Sequence, residues 1–564
     1  MKRVKRFLAV IVSLALLALT AVYLTPLDTY VPEAERVLSA GLGEPVKIKH
    51  LGIGTMPVPH LVLENVQAGE KPGISLQTVK VMFDFRTLFD SQRVIHRMVL
   101  SHGSVTQAQV EKLYAALQSS IAASPFRMDE LQFDGIRYDA PQFSLESVGG
   151  RVIFAPDNSL EYARLALPDK KVVITLRPQS SNTFAVEAKF NKWPLPNYPD
   201  IQLGGLSTEG VLAWPRLDIK KFSAEAYGAH MEGHALLEWK PEWKMALWLD
   251  SVTGKAERLP SVDKSIVLAG DLRGKGNIDA HGATVQALLD NLKFDASVEI
   301  QNATVHVPGS FHQPLVLDEI KTRLSGTLAE HTLTGLQGKL YGGVAEGSAV
   351  IHTQDAQLQA DIVFNNIAIG PVVEALSSDV VLTGTLGGKA KLAINTKEAG
   401  HFLQKLKLDG EFRVGNGVLH KMDMVQAAGN PLKKGDKTGK TSFDELSGLL
   451  SVDASGYHFR RLKVSSGALN AEGRLDISPQ LQLDGALDTD VKRTAGLISM
   501  PLAVSGSLDN PVLRPTKSAL AGASVGTALM GPGLGTALGI KAGNLLNKLF
   551  GKKNEKADED KPKK

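Results

Sequence analysis

Cysteine is absent from this chain of 564 residues. Its absence excludes thiolate metal sites, cysteine nucleophiles and disulfide frameworks, and it makes passage through an oxidising compartment harmless. Aromatic residues are scarce as well, at 6%, whereas glycine occurs 53 times. A core must therefore be built from Val, Ile, Leu and Ala, with many turns between its elements.

A large excess of charge of either sign is also missing. Lys and Arg total 63 and Asp and Glu total 59, which gives a formal net charge of +4. No basic stripe appears outside the two ends, so the sequence predicts no nucleic-acid partner. Apolar residues at 43% and charged residues at 22% are ordinary for a folded protein, and they exclude a wholly disordered chain and a polytopic transporter.

The N-terminus joins a basic segment, residues 1–6, to a run at 7–24 without charge, glycine or proline. At 1.5 Å per residue the run reaches about 27 Å, close to the ~30 Å hydrocarbon core of a bilayer. We predict a cytoplasmic 1–6, a transmembrane signal anchor at 7–24 and export of the remainder. The protein is then a single-pass bacterial inner-membrane protein with its bulk in the periplasm. A cleaved signal peptide is the alternative, although Ala18-Leu19-Thr20 is a poor cleavage site.

Period-two alternation of apolar and polar residues dominates from about residue 44 to 515, as expected of half-buried strands. Clear cases are Phe184, Val186, Ala188 and Phe190; Leu358, Ala360, Ile362 and Phe364; and RLDISPQLQLDG at 474–485. Turns are predicted at GG 149–150, PDN 156–158, GG 342–343, GNG 415–417 and SG 505–506. This spacing is typical of antiparallel strands joined by hairpins.

Helical spacing is rare, and four helices are predicted. They are Val31 to Ala40, Thr106 to Ala122, Ala283 to Leu292 and Pro371 to Leu376. So few helices cannot cover the apolar face of so many strands. We therefore predict a mainly β protein in which an elongated, curved antiparallel sheet forms a trough, with a few short helices and the N-terminal transmembrane helix. Roughly 30 strands at about 4.8 Å would extend to about 140 Å as an upper bound.

All five tryptophans fall in one stretch, at Trp193, Trp214, Trp239, Trp243 and Trp248. Ordinary core packing is one explanation. A contact with lipid or with a protein partner is the other, because indole is apolar with one polar handle.

Several short patterns imitate catalytic motifs without their context. Residues 435–441 (GDKTGKT) are one residue short of a phosphate-binding loop, and GASVG at 522–526 lies in a Gly-rich segment rather than at a nucleophile elbow. The histidines show no spacing of metal ligands, and His50, His60, His96 and His102 fall among strands. We predict no catalytic, cofactor-binding or metal-binding residue, no cofactor and no enzyme activity; lipid-contact residues are not assigned.

Two segments near the N-terminus, GEPVKIKHLGIGTMPVPHLVLENVQAG (43–69) and VKVMFDFRTLF…VIHRMVLSHGSV (79–105), are similar to the opening of the AsmA family. Similar to its C-terminal repeats are LYGGVAEGSAVI (340–351), DIVFNNIAIGPVVEAL (361–376), LTGTLGGKAKLAI (382–394), GNGVLHKMDMVQAA (415–428), TSFDELSGLLSV (441–452) and MPLAVSGSLDNPVLRPT (500–516).

The resemblance implies an inner-membrane-anchored periplasmic protein with a curved β trough, related to bridge-like lipid-transfer proteins. Family members are implicated in phospholipid movement toward the outer membrane and in envelope homeostasis. The resemblance carries no catalytic residues. The matched positions Gly342, Gly343, Gly417 and Asp423 are interpreted as structural, with glycine supplying positive φ at turns and Asp bonding the backbone.

Seven regions follow from these patterns. They are the cytoplasmic residues 1–6, the anchor 7–24, an AsmA-like N-terminal β region 28–105, a middle β region with helical insertions 106–329, an AsmA-like C-terminal β region 330–516, a Gly-rich segment 517–550 and a charged, disordered tail 551–564. For 517–550 a helical hairpin that closes the trough is favoured. An amphipathic contact with a membrane surface, a second span at 518–540 and disorder are the alternatives.

The functional hypothesis is a non-enzymatic envelope protein that binds or conducts phospholipid acyl chains along an apolar trough between the inner and outer membranes. Its partners would be membrane lipids, the inner membrane through 7–24, and outer-membrane or envelope proteins. The alternative is a periplasmic scaffold or assembly factor for outer-membrane proteins that captures unfolded chains on open strand edges. A hydrolase is the third reading, and no motif has a fitting context for it.

Overall fold

The computed structural model describes residues 27–56, 58–69, 73–87, 90, 92–112, 126–140, 144–180, 183–195, 198–259, 266–309, 311–377, 380–395, 405–429, 439–493 and 496–521. Over these residues the chain is mainly β with a few short helices, which confirms the predicted class. The helices are α1 (Val31–Leu42), α2 (Val285–Asp290), α3 (Ile369–Leu376) and α4 (Met424–Gly429), and single 3₁₀ turns occur at Leu27–Tyr30, Phe85–Thr87, Pro168–Lys170 and Ala256–Arg258.

The strands up to residue 255 are β1 (Val46–Lys47), β2 (His50–Gly54), β3 (His60–Ala68), β4 (Ile74–Phe83), β5 (Arg93–Thr106), β6 (Phe126–Met128), β7 (Glu130–Asp139), β8 (Ser144–Phe154), β9 (Leu160–Ala166), β10 (Val172–Ser180), β11 (Thr183–Leu195), β12 (Tyr198–Ala213), β13 (Arg216–Ala226), β14 (Ala229–Glu238) and β15 (Trp243–Lys255).

The remaining strands of the described residues are β16 (Val267–Gly282), β17 (Lys293–His306), β18 (Leu315–Thr327), β19 (Glu330–Leu340), β20 (Gly343–His352), β21 (Gln357–Ala368), β22 (Leu382–Asn395), β23 (Lys407–His420), β24 (Lys440–Asp453), β25 (Gly456–Ser465), β26 (Leu469–Ile477), β27 (Leu483–Arg493), β28 (Gly496–Ser507) and β29 (Asn510–Pro515). The strands predicted from the alternation at 184–190, 358–364 and 474–485 are therefore confirmed.

The predicted helices are found with shifted ends. The prediction at 31–40 corresponds to α1, that at 283–292 to the shorter α2, and that at 371–376 to α3. The prediction at 106–122 began one residue early, because Thr106 still pairs with Asp139 across β5 and β7. Residues 107–112 are helical, and the rest of that prediction lies outside the described residues. Helix α4 was missed; Asp423, whose side chain accepts from Gln426 N at 2.7 Å, is its N-terminal signal.

Three of the predicted turns lie inside strands, at 149–150 in β8, 415–417 in β23 and 505–506 in β28. The predictions at 156–158 and 342–343 hold, since turns occupy 156–157 and 341–342. Glycine serves a different purpose in the strands: a Cβ on Gly417 would overlap the Phe443 ring and Thr383 O. Of the glycines interpreted as structural, Gly342 has a φ of +78°. Gly343 and Gly417 are instead required because a neighbouring segment of the same sheet approaches their Cα atoms closely.

Two compact units divide the chain. Residues 1–250 with 279–291 form the first unit, and residues 251–278 with 292–564 form the second. Two of the three boundaries fall inside strands, in β15 and in β16, and the third lies between α2 and β17.

In the first unit, α1 covers the apolar face of the opening strands. Ala34 and Leu38 pack against a buried cluster that includes Leu51, Leu63 and Val79. Neighbouring strands pair antiparallel, except that β5 pairs parallel with β6 and β7. A parallel pair needs a crossover connection rather than a hairpin, and the chain leaves β5 into the helical residues 107–112.

The outer edge of β1 and β2 is closed by side chains. Both strands pair with β3 on one side. On the other side, three backbone donors reach acceptors of α1 and of the turn before it, each at 2.9 Å. They are Val46 N of β1 to Ser39 Oγ, Ile48 N between the strands to Glu35 Oε1, and Leu51 N of β2 to Asp28 Oδ1. Because these donors are already satisfied, they are not available to an added strand.

In the second unit, each strand from β17 to β29 pairs antiparallel with the next. The buried core of its C-terminal part includes Val414, Met424, Leu469 and Leu502, each exposed by 1% or less. Helix α4 packs against β24, β27, β28 and β29.

The last strand, β29, presents few donors at its outer edge. Thr516 N donates to Pro501 O at 3.0 Å, so the alternation of an antiparallel ladder turns residues 510, 512 and 514 toward β28 and residues 511, 513 and 515 outward. Two of the outward positions are Pro511 and Pro515, which have no N–H. This edge offers only Leu513 N to an added strand, a common protection of edge strands.

Residues 1–26 and 522–564, at the two ends of the sequence, lie outside the described residues. The run predicted to span the membrane, 7–24, lies outside the described residues. Within the part of the chain that the structure describes, no helix has the length and apolar character needed to cross a bilayer. Residues 517–521 are helical and Ala519 is fully buried in the second unit. The rest of 517–550 and the tail are outside the described residues, so the alternatives for them stay open.

The close approach at Gly417 gives a stability test. Gly417→Ala should lower the free energy of unfolding of the second unit by about 1–3 kcal/mol, because the methyl group overpacks against Phe443 and the backbone. Gly415→Ala on the same strand is the matched control, since the nearest atom to its Cβ is Asp444 O at 4.0 Å. Urea unfolding of both variants measures the difference, and equal effects would contradict the packing described.

Candidate functional site: an apolar cavity in the second unit

An apolar cavity of about 460 Å³ lies in the second unit. Its lining comes from eight consecutive strands, from Phe364 on β21 to Val504 on β28. Laid flat, eight strands would be about 34 Å wide at 4.8 Å spacing. One cavity of this size can touch all of them only if the sheet curls around it. Lys421 Nζ supports the curl, since it donates to Asp509 O at 3.2 Å and joins the end of β23 to the turn between β28 and β29.

Period-two alternation places the lining on the inner face. On β23, Leu408, Gly410, Phe412 and Val414 line the cavity or its wall, while the residues between them are mostly exposed. Bulky residues face small ones on the neighbouring strand: Phe412 lies opposite Gly448, and Leu450 lies opposite Gly410. This pairing avoids overpacking of the curled wall.

Helices close one end of the cavity. Ile369, Val373 and Leu376 of α3 and Met424 of α4 belong to the lining. The buried Thr441 fixes the start of α4, since its Oγ1 donates to Met422 O at 2.7 Å and accepts from Met424 N at 2.9 Å.

Thr441 is the last residue of the pattern at 435–441 that imitates a phosphate-binding loop. Its hydroxyl is already used in hydrogen bonds to the start of α4. Residues 435–438 of that pattern and the GASVG pattern at 522–526 lie outside the described residues.

Four residues of the lining are polar: Ser377, Lys389, Glu411 and Tyr457. Lys389 Nζ and Glu411 Oε1 are 2.7 Å apart, and both side chains are more than half exposed. Their charges therefore neutralise each other at the solvent side of the wall. Burial raises the pKa of the Tyr457 hydroxyl, so this group is held neutral at any ordinary pH. Besides hydrocarbon, the interior therefore presents the hydroxyl groups of Ser377 and Tyr457.

A charged network lies on the opposite face of β25 and β26. His458 Nδ1 is 2.7 Å from Asp476 Oδ1, and His458 Nε2 is 2.8 Å from Ser455 Oγ. Arg460 also reaches Asp476, at 2.7 Å. The hydrogen bond to Asp476, with a further one to Asp453, raises the pKa of His458.

This network has the residue types of a Ser–His–Asp triad but a different hydrogen-bond pattern. The Ser455 hydroxyl donates to Asp453 Oδ1 at 2.6 Å, so it is not held as a donor to His458 Nε2. The arrangement is best described as an ion network that joins a turn to two strands.

The histidines singled out in the sequence are separated in space. His50 is 2.7 Å from Asp28, His96 is 2.9 Å from Asp129, and the buried His60 bonds Val58 O at 2.7 Å. His102 lies beside Gly135. Over the described residues, no group of three or more His, Asp or Glu side chains is placed to hold a metal ion.

The tryptophan-rich region belongs to the first unit. Trp214 and Trp239 meet edge to face at 5.0 Å between ring centroids, and Trp239 and Trp243 are 6.4 Å apart. Lys240 Nζ lies 5.5 Å from the Trp214 ring centroid and 3.3 Å from Glu111. Trp248 instead stacks on His234 at 4.8 Å. Side chains around Trp193 are outside the described residues, and the lipid or partner contact stays a prediction.

The His458 network predicts a pH dependence of stability. Because the folded-state pKa lies above the unfolded value of about 6.5, its contribution is complete below that pH and is lost as the pH rises through the folded-state pKa. His458→Gln should lower the free energy of unfolding by about 0.5–1 kcal/mol at pH 6 and by less at pH 9. His281→Gln, at an exposed site without a carboxylate partner in the described structure, is the control. A deficit that grows with pH would contradict this sign.

Comparison of the chain with protein-family models, curated proteins and solved structures gives no significant match. The resemblance of residues 28–105 and 330–516 to the AsmA family accordingly stays a prediction drawn from the sequence.

Proposed function

We propose that this protein is a non-enzymatic envelope protein that holds phospholipid acyl chains against the apolar inner face of its curled sheet. One observation carries the proposal: the 460 Å³ cavity whose described lining is hydrocarbon apart from four polar residues. Its volume is within the range of about 300–1,000 Å³ found for ligand sites. Each buried CH₂ group of a ligand is worth about 0.8 kcal/mol, so an alkyl chain is the ligand class that gains most from such a lining.

The proposed location rests on the sequence. The basic residues 1–6 and the apolar run 7–24 favour an inner-membrane anchor with the bulk of the chain in the periplasm. An anchored domain with an acyl-chain site would take lipid from, or deliver it to, the membrane beside it. Movement of phospholipid toward the outer membrane, and support of that membrane, is the extended form of the proposal. It draws on the AsmA resemblance.

The scaffold alternative receives less support. Capture of unfolded chains by strand addition requires an open edge with regularly spaced donors. The outer edge of β1 and β2 is closed by Asp28, Glu35 and Ser39, and the outer edge of β29 carries Pro511 and Pro515. These two edges are therefore poor templates for the addition of a strand from another chain.

Lipid occupancy of the cavity can be tested with neighbouring residues of β24. Leu450 lines the cavity, whereas Leu449 is 38% exposed and is absent from its lining. Leu450→Asp should remove most of the phospholipid that co-purifies with the full chain, because a carboxylate facing hydrocarbon is strongly unfavourable. Leu449→Asp should leave the lipid unchanged. Quantitative mass spectrometry of extracted lipid provides the measurement.

Leu450→Trp serves as a second variant in case the charge disturbs folding, since it occupies the cavity without introducing charge. Circular dichroism and thermal unfolding confirm that each variant is folded. Wild-type protein free of lipid, or equal lipid in all three variants, would refute the acyl-chain site.

A further inference from the structure

One polar group of the cavity lining, the Tyr457 hydroxyl, is without a hydrogen-bond partner among the described residues. Tyr457 begins the inner face of β25, opposite Val452 on one side and Ile477 on the other. Its side chain lines the apolar cavity, and its oxygen makes no hydrogen bond to any residue that the structure describes. The raised pKa caused by burial agrees with a hydroxyl that keeps its proton and can donate it.

The other polar residues of the lining are occupied. Lys389 pairs with Glu411 at 2.7 Å. Ser377 is buried at the end of α3 and is not without a partner, and its backbone N donates to Val373 O at 2.8 Å. Tyr457 is therefore the polar group that a ligand inside the cavity can address.

The position of Tyr457 along the strands sets an orientation. β24 runs from Lys440, beside the start of α4, to Asp453, and β25 returns from Gly456. Tyr457 consequently lies at the end of these strands away from α4. The α4 end is filled by side chains such as Met424 and Leu469, which are exposed by 1% or less. A chain bound in this cavity would then have its hydrocarbon toward the helices and its head toward Tyr457.

We propose that the Tyr457 hydroxyl anchors the head of a bound acyl chain by donating a hydrogen bond to its carbonyl oxygen. The inference rests on the proposed function and adds the polar contact that selects acyl compounds over plain hydrocarbon. The shared chemistry is a carbonyl at the end of an alkyl chain, supplied either by a free fatty acid or by the ester of a glycerolipid. A phenol O–H is a good donor to such an oxygen, and a ligand that lacked it would leave the hydroxyl unpaired.

The test compares two photoreactive probes on the full chain held in amphipol. Both probes carry the same diazirine-bearing alkyl chain; one ends in a methyl ester and the other in a methyl group. The readout is the probe concentration that gives half-maximal labelling of the peptide covering residues 446–464. Leu450→Trp, which occupies the cavity, gives the background.

Tyr457→Phe removes the hydroxyl and keeps the ring. It should raise the half-maximal concentration of the ester probe about 5- to 10-fold, equal to ~1–1.4 kcal/mol, and change that of the hydrocarbon probe less than about twofold. Tyr162→Phe is the matched control. Its ring faces Arg177 in the first unit, and neither probe should respond.

Equal effects of Tyr457→Phe on both probes, or no effect on either, would overturn this inference while leaving the acyl-chain site intact. Failure of both probes to label the wild-type cavity would instead overturn the proposed function. Competition separates the two sources of the carbonyl. Displacement by oleate indicates a free acid and displacement by dioleoylphosphatidylglycerol indicates an ester, and either agrees with the proposal. Displacement by neither contradicts it.

Discussion

The structure depends on one constraint: every strand has one apolar face, and that face must leave water. In the usual two-layer arrangements a second sheet or a layer of helices provides the cover. The described residues of this chain contain few helices, and α3 and α4 together supply only four turns or so. The second unit meets the constraint by curling its own sheet, so that Leu, Val and Phe side chains of consecutive strands face each other across a common interior.

Curling has consequences for packing and for chemistry. Side chains must fit on the concave side, and glycines opposite Phe412 and Leu450 provide the space. Near α4 the interior is filled by side chains such as Met424 and Leu469. Farther along the strands it is not filled, and the cavity results. The polar residues are left on the convex side, where pairs and networks such as Lys389–Glu411 and His458–Asp476 satisfy them in contact with water.

Closure of the sheet edges limits where another chain could pair with this protein. In the first unit, α1 and the turn before it satisfy the donors of β1 and β2. In the second, prolines remove donors from β29. Both devices limit pairing with foreign strands, and the apolar cavity of the second unit is left as the proposed binding surface. This arrangement suits a ligand that is a flexible hydrocarbon better than one that is a polypeptide.

The sequence by itself determined the β class, the inner face of β11, β21 and β26, and the positions of α1, α2 and α3, because alternation and caps are local signals. It did not place the turns correctly at 149–150, 415–417 and 505–506. The sequence alone does not distinguish a glycine that is required by a closely packed neighbouring strand from a glycine that is required by a turn. The cavity, the role of Thr441 and the position of the Tyr457 hydroxyl in the cavity lining were decided only by tertiary structure. They depend on which strands meet after the sheet curls, and the period-two pattern that predicts a strand is the same whether the sheet is flat or closed.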